Sequence, residues 1–466
     1  MAKLVALLSY AYQALLAFGS LLVIAHLLTA ADYTVYSLFM ATTQLAAIAA
    51  FEWIRFACSR FYPGPDGVSE ALQRGTMQRE FAASMGICAL FAAFAALAGP
   101  VSPLLAALGL IVVVLQGWTD LHLTMLRFRH QFTAFSSLQG LRATALAVGS
   151  VVGAMSLHTV EGAAAGLATG YVLMSIVAVA VDRRADRAAG RWDAATVRQH
   201  LHYGSVSAGA SVLGLVAPLG LRLILQGTFG PAAAGALLAI DLLQRPFVLV
   251  ISAVQGVQYP VVVRSYDGSE PGFELHLGRY YALLVSLALL TAGGVAAILP
   301  LVAGWLVAED MRPAFIATAP AVLIVFLMRA TTQNVLATPA HLLKRMRIIT
   351  LLAVSDAALL NLSAGTGAAL PGATLASVCL AAAVGSVIYA VAGLVTLRAL
   401  PFSLVTKPVL PALVAIVACL AISASTWTLV GALWSMAIGS VLGVLSLWLL
   451  YVEYRPNRTA GLDVAG

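Results

Sequence analysis

Fourteen apolar runs, most of them close to the length that crosses a bilayer as a helix, dominate this sequence. A spanning helix needs about 20 mostly apolar residues. The runs lie near residues 5–28, 36–58, 81–99, 102–120, 134–156, 162–181, 204–226, 232–262, 279–300, 313–337, 347–366, 371–396, 407–425 and 428–451. No water in the hydrocarbon can satisfy backbone N–H and C=O groups, so runs of this length must close their hydrogen bonds internally, as α-helices. The fold class follows: an all-α polytopic membrane protein of about fourteen spans. Composition adds one decisive point, since 10% charged residues and a mean hydropathy of +0.95 leave too little polar surface for a water-soluble domain of 466 residues.

Basic side chains test the parse independently, because loops on the cytoplasmic side of a membrane collect Lys and Arg. Of the 26 basic residues, all but five fall at Lys3, in alternate turns, or in the tail. The turns carry Arg55, Arg60, Arg74 and Arg79, then Arg127 and Arg129, then Arg183, Arg184, Arg187, Arg191 and Arg198. They continue with Arg264 and Arg279, Lys344, Arg345 and Arg347, and Arg398 and Lys407; the tail holds Arg455 and Arg458. Only Arg312 falls on the far side. Both termini are therefore expected in the cytoplasm, with an even number of spans. The net charge of +7 reflects this bias and attraction to anionic membrane lipids, not nucleic acid.

The longest basic connection, residues 182–203, carries Trp192, Val197, Leu201 and Tyr203 and predicts a short interfacial amphipathic helix. It divides the chain into an N-terminal lobe of six spans (1–181), a C-terminal lobe of six (204–400), an accessory helix pair (401–451) and a cytoplasmic tail (452–466). Duplicated transporters place a site where such halves meet. The eighth run is long for one span, which predicts a tilt, a kink near Pro246 or a protruding end. Trp118, Trp305, Trp427 and Trp448 fall where interfacial anchors belong.

Catalytic signatures are missing from the sequence. The external connections are all short, which leaves no room for an external catalytic domain. There is no phosphate-cradling Gly-rich loop with Lys-Ser/Thr and no His pair at metal spacing, so no cofactor is expected. His200 and His202 read as solvated side chains at an interface. Cys58, Cys88, Cys379 and Cys419 read as small apolar fillers. An enzyme, an ATP-driven pump or a metal hydrolase is not the expectation.

What the chain does carry is cation in the wrong place. Arg142, Arg222, Arg245 and Arg329 lie inside spans, and Arg55 lies one turn after Glu52 in the second. A cation at mid-bilayer costs on the order of 2.5–3.5 kcal/mol even on the lenient insertion scale, so it turns toward protein or a wet cavity. Positions three, four, seven or eleven apart share a helix face. By that rule Gln13 lines one side of the first span, Gln44 and Arg55 share a side of the second, Asp241, Gln244 and Arg245 stack in the eighth, and Arg329 and Gln333 pair in the tenth. Glu52 with Arg55 and Asp241 with Arg245 are spaced as intrahelical ion pairs, which is also how charges glue helices together. Against these five arginines, the carboxylates within spans are Glu52, Asp241 and Asp356, so a cationic surplus remains that a dry contact would leave unpaired. Arg142 and Arg329 are the first candidates to hold an anionic ligand, with Arg55, Arg245 and Arg222 beside them. Arg222 sits near an external helix end from which it could snorkel outward. Guanidinium suits phosphate oxygens because its planar fork donates two hydrogen bonds at once.

The stretch Asp32-Tyr33-Thr34-Val35-Tyr36-Ser37-Leu38 after the first span, the Arg142-bearing fifth span, the Arg222 to Gly235 stretch and the fourteen-helix layout resemble the polysaccharide transporter family. That family includes Wzx-type flippases of lipid-linked oligosaccharides, within the multidrug/oligosaccharidyl-lipid/polysaccharide exporter superfamily. Two positions depart from the pattern: Thr34 replaces a common glycine, and Leu221 replaces an aspartate that often precedes the arginine, removing one partner for Arg222. The resemblance implies two six-helix lobes around a central cavity that opens to each side in turn. Its cargo would be undecaprenyl diphosphate bearing an O-antigen or exopolysaccharide repeat unit, moved across the cytoplasmic membrane of a bacterium beside polysaccharide polymerase machinery. Arg142, Arg329, Arg55 and Arg245 would meet the diphosphate, Gln13, Gln44 and Gln333 the sugars, and the last helix pair the polyprenyl tail. Asp356, Asp241 or Glu52 would bind a coupling proton or sodium ion, although Asp356 is also placed to neutralise Arg329. A drug or cation exporter of the same fold is the alternative, and a membrane-embedded glycan polymerase or ligase a more distant one.

Overall fold

A computed structural model of the chain describes residues 2–61, 70–99, 102–129, 131–182, 192–267, 273–333, 337, 338, 340, 343, 345–397, 406–425 and 427–454. The linker arginines Arg183 to Arg191, Lys344, Arg398 and the tail from Arg455 lie outside these residues. Fourteen α-helices account for nearly all of it: α1 (Ala2–Leu27), α2 (Ala30–Phe61), α3 (Glu70–Ala98), α4 (Pro103–Phe128), α5 (Phe132–Leu157), α6 (Val160–Asp182), α7 (Ala194–Phe229), α8 (Ala234–Asp267), α9 (Phe273–Trp305), α10 (Arg312–Thr331), α11 (Met346–Ala369), α12 (Leu375–Leu397), α13 (Val409–Ser425) and α14 (Leu429–Tyr454). A 3₁₀ turn, Gly230–Ala233, joins α7 to α8, and no strand occurs among the described residues.

Every expected span has its helix, and the helices differ mainly in outrunning the apolar runs. Hydropathy sees only the stretch that must lie in hydrocarbon, whereas a charged helix end continues in water at no penalty; hence α3 begins at Glu70 rather than near 81. The same reason overturns the separate amphipathic helix expected in the linker. Residues from Ala194 onward are the first turns of α7 itself, capped by Asp193, whose carboxylate accepts from the Thr196 backbone N–H at 2.9 Å and from the Thr196 hydroxyl at 3.0 Å. Those hydrogen bonds hold the Asp193 carboxyl below its ordinary range. The cap therefore supports α7 fully above that range and is lost as pH falls through the lowered value. In the other direction, α10 stops short of the expected run and loosens into a wider turn at Thr332 and Gln333.

The described chain forms two compact units: Met1–Arg245 with Val307–Thr318 and Ala353–Ala382, and Pro246–Leu306 with Ala319–Leu352 and Ala383–Gly466. In the first, Phe51 and Ile54 of α2, Met77 and Phe81 of α3, and Val113, Leu121 and Met125 of α4 make one core, with Phe51 and Phe81 stacked at 4.4 Å. Trp118, expected as an interfacial anchor, packs into that core edge-on to Phe81 at 5.2 Å. A second core joins Leu123 and Leu126 of α4, Phe135 and Leu138 of α5, and Met174 and Ala178 of α6. In the second unit, α9 packs against both helices of the accessory pair, α13 and α14. The Ser446 hydroxyl donates to the Pro408 carbonyl at 2.7 Å and the Cys419 thiol to the Ser435 carbonyl at 3.4 Å, tying the pair together.

Outward faces are apolar. Ile87, Leu90, Phe91, Phe94 and Leu97 of α3, and Val441, Val444 and Trp448 of α14, are all exposed. Patches of this size are not tolerated by a protein surrounded by water. Among the described residues, eleven stretches are long and apolar enough to cross a membrane, one of them, Ala194–Ile251, running through both α7 and α8. The chain is a multi-pass membrane protein.

The tightest helix contact is α5 on α6. Between lipid-facing helices association depends on close packing, which small residues permit. A methyl group on Gly153 or Gly166 would drive into the backbone carbonyl of Gly162 or Gly149. Gly166→Ala should therefore lower stability by about 1–3 kcal/mol, read as a drop in thermal midpoint in detergent, whereas Gly86→Ala on α3, with open space around it, should change it little.

Candidate functional site

Most of the charged residues singled out by the sequence fall in two places in the first unit. The first is built on Asp241 of α8. Its Oδ2 accepts the Tyr33 hydroxyl at 3.0 Å and the Ser37 hydroxyl at 2.7 Å, and its Oδ1 accepts Arg222 Nη2 at 2.8 Å. Tyr33 and Ser37 are four apart on α2 and so share a face; both are fully buried. The start of α2 is fixed by a reciprocal cap in which Thr29 donates to the Asp32 carboxylate at 2.7 Å and accepts the Asp32 N–H at 3.2 Å. Arg222 reaches the site from α7, where Pro218 removes one N–H from the helix ladder and the Pro218 carbonyl accepts Arg222 Nη1 at 3.2 Å.

Two expectations are corrected here. Arg222 does not snorkel outward: it is 6% exposed and paired with Asp241, because the carboxylate missing at Leu221 is supplied from α8. Arg245 does not take the Asp241 carboxylate; its Nε donates to the Asp241 backbone carbonyl at 3.1 Å. Among the described residues, no carboxylate lies within ion-pair distance of Arg245. The cluster thus holds two guanidinium groups against one carboxylate, and Arg222 Nε is buried with no hydrogen-bond partner.

The second place lies among α1, α2, α4 and α5. Arg55 pairs with Glu52 within α2, as the spacing predicts, and is 42% exposed at its side chain. Arg142 pairs with Asp120 of α4. The partner comes from α4 rather than from Arg142's own helix, and it changes the charge count, because Asp120, the last residue of the expected fourth span, is not one of the three carboxylates counted within spans. Glu52, Arg55, Asp120 and Arg142 sum to zero. Beside them Gln139 donates to Gln13 at 2.5 Å and Tyr12 meets Thr144 at 2.8 Å, so α1 and α5 share a polar seam. Gln44 is exposed on α2.

Arg329 and Gln333 at the end of α10 belong to the second unit, and Asp356 of α11 to the first. Arg329 is 5% and Asp356 1% exposed, and all three residues are engaged in polar contacts. No group of His, Cys, Asp and Glu suited to a metal ion occurs among the described residues.

The chain shares its fold with solved transporters of the MOP superfamily. It aligns with the lipid II flippase MurJ in its inward closed conformation at a TM-score of 0.70 and 13% identity, over 96% of this chain and 98% of that one. An inward-facing multidrug resistance MATE transporter of the MOP superfamily aligns at 0.65 and 12% identity over 83% and 94%. The Vibrio cholerae MATE transporter VcmN aligns at 0.57 and 14% identity over 84% and 94%. No family model matches the chain, and no curated protein matches it in sequence.

The Asp241 cluster makes a direct prediction. Removing one partner of a buried ion pair costs about 3–5 kcal/mol, whereas replacing both by apolar groups is often nearly neutral. Asp241→Leu should sharply reduce thermal stability, and adding Arg222→Met should restore much of the loss; equal, additive losses in the double variant would show that the pair is not coupled.

Proposed function

We propose that the chain is a flippase that carries an anionic lipid-linked glycan, an undecaprenyl-diphosphate oligosaccharide, across the cytoplasmic membrane of a bacterium. The observation that carries this reading is the excess of cation at Asp241: among the described residues the Arg245 guanidinium has no carboxylate partner and the buried Arg222 Nε has an unused donor, within one polar cluster. An unpaired cation in such a place is unfavourable until an anion or water meets it. Diphosphate oxygens suit both donors. The likeness to a lipid II flippase over nearly the full length of both chains supports the same cargo class.

In this proposal the lobes at 1–181 and 204–400 open to each side in turn, with the termini cytoplasmic. Arg245 and Arg222 meet the diphosphate first, while Arg142, Arg55 and Arg329 complete the charge along its path. Gln13, Gln44 and Gln333 meet the sugars, and the 401–451 pair shelters the tail. A proton or sodium ion at Asp241, Glu52 or Asp356 supplies the coupling, and glycan polymerase machinery receives the product.

The second reading is a drug or cation exporter. The Glu52–Arg55 and Asp120–Arg142 pairs favour it, since they leave that polar face without net positive charge, and the multidrug-transporter likenesses support it. Native-lipid mass spectrometry of the purified protein separates the two. Wild type should retain a polyprenyl diphosphate glycan, and Arg245→Gln should reduce that retention roughly tenfold or more, the worth of one charge-assisted hydrogen bond. Retention unchanged in Arg245→Gln, with full complementation in a strain lacking the transporter, would reject the assignment. Export of organic cations by wild type with no lipid retained would establish the exporter instead, and sugar transfer by the purified protein would replace both with a glycan polymerase or ligase.

A further inference from the structure

Away from the Asp241 cluster, a histidine is sealed between three helices. His200 of α7 is 0% exposed, although its neighbours Leu201, His202 and Tyr203 are all exposed. Its Nδ1 lies 3.0 and 3.1 Å from the two carboxylate oxygens of Glu80, and its Nε2 lies 2.8 Å from Gln73 Oε1, both on α3. Glu80 is itself 5% and Gln73 2% exposed. From α2, the Phe61 ring lies nearly parallel to the imidazole at 5.6 Å, within the range at which an aromatic face attracts a cation. Tyr203 closes on Phe61 edge-on at 5.6 Å.

A carboxylate only accepts, so Nδ1 donates to Glu80. The Gln73 amide can turn either its oxygen or its NH₂ toward Nε2, so the same cage accommodates an imidazolium, which donates from both nitrogens, and a neutral ring, whose Nε2 accepts. The cage is therefore built for two protonation states of one ring, distinguished by a single amide flip. Charge around it is otherwise external. Arg60 of α2, Arg79 of α3, and Asp193, Arg198 and His202 of α7 are exposed, Arg79 lies over Trp192 at 5.6 Å, and Arg74 of α3 is half-buried and engaged in its own contacts. Among the described residues, Glu80 is the buried charged group that meets His200.

We propose that Gln73, Glu80 and His200 form a proton-binding site that latches α3 to α7. With the proton bound, the imidazolium neutralises Glu80 and the two helices are held by three polar contacts sealed from water. When Nε2 gives its proton to water, Nδ1–H still donates to Glu80, but the carboxylate then keeps its full charge in a dry site with only a neutral partner. A buried charge without a countercharge is strongly unfavourable. Relief comes from letting water reach Glu80, which parts α3 from α7. The inference concerns the helix bundle and holds whatever the cargo is, so its failure and that of the flippase reading are separate events.

Double electron–electron resonance tests it on the full-length chain with Cys58, Cys88, Cys379 and Cys419 replaced by alanine and spin labels on the exposed positions Ala82 of α3 and Leu201 of α7. The distance should shift to longer values when the buffer is changed from acidic to alkaline. His200→Gln, which keeps hydrogen-bonding capacity without titrating, and Glu80→Gln, which keeps the shape without the charge, should each lose that pH response. A distance that does not change with pH in the parent chain overturns the proposal without reference to any variant. Persistence of the shift in either variant overturns it as well.

Discussion

A guanidinium buried among apolar helices must meet an anion, and at Asp241 that requirement gathers α2, α7 and α8 around one carboxylate. Arg222 arrives from α7, Tyr33 and Ser37 from α2, and Arg245 stays on the backbone carbonyl. In water such a set would be worth little, because exposed ion pairs contribute at most about 1 kcal/mol. Here Arg222, Tyr33 and Ser37 are buried and Asp241 is largely so, and leaving any of them out strands a polar group where water is scarce. The same rule governs Arg142 with Asp120, whereas the Arg55–Glu52 pair is half open. It makes the polar residues the specific part of a fold whose apolar surfaces alone would pack in many ways.

Apolar periodicity and Lys/Arg bias made the fourteen helices legible, because membrane crossing forces one backbone solution on each run. Helix ends were less legible, since charged turns at α3 and α7 continue the helix where hydropathy falls silent. Partnership was the least legible part. Arg222 and Asp241 are recognisable as intramembrane charges, but sequence spacing couples Asp241 to Arg245 on its own helix. The actual partner comes across the 3₁₀ turn from α7, a choice made by tertiary packing. Asp120 was missed because it sits at the last residue of an apolar run and was not counted within the spans. His200 was missed because interfacial histidines are usually solvated; its burial follows from Gln73 and Glu80, which lie seven residues apart and therefore on one face of α3.

Pairing also redistributes function. Counting intramembrane charges implied a surplus spread over five arginines. Once Asp120 is included and Arg55, Arg142 and Arg222 are followed to their partners, the cluster at Asp241 holds one cation more than it has carboxylates, while Glu52, Arg55, Asp120 and Arg142 balance. A ligand anion has most to gain at the former. In the proposed function, Arg245 and the Nε edge of Arg222 meet it, and the paired Arg142 takes a supporting place.

In the proposed function, the excess of cation at Asp241 receives the phosphate of a lipid-linked cargo. Cryo-electron microscopy of the chain reconstituted with a polyprenyl diphosphate oligosaccharide addresses it directly. Phosphate density within hydrogen-bonding distance of Arg245 and Arg222 is the predicted result; well-resolved lipid whose phosphates lie elsewhere, with Arg245 still on the Asp241 carbonyl, would contradict it.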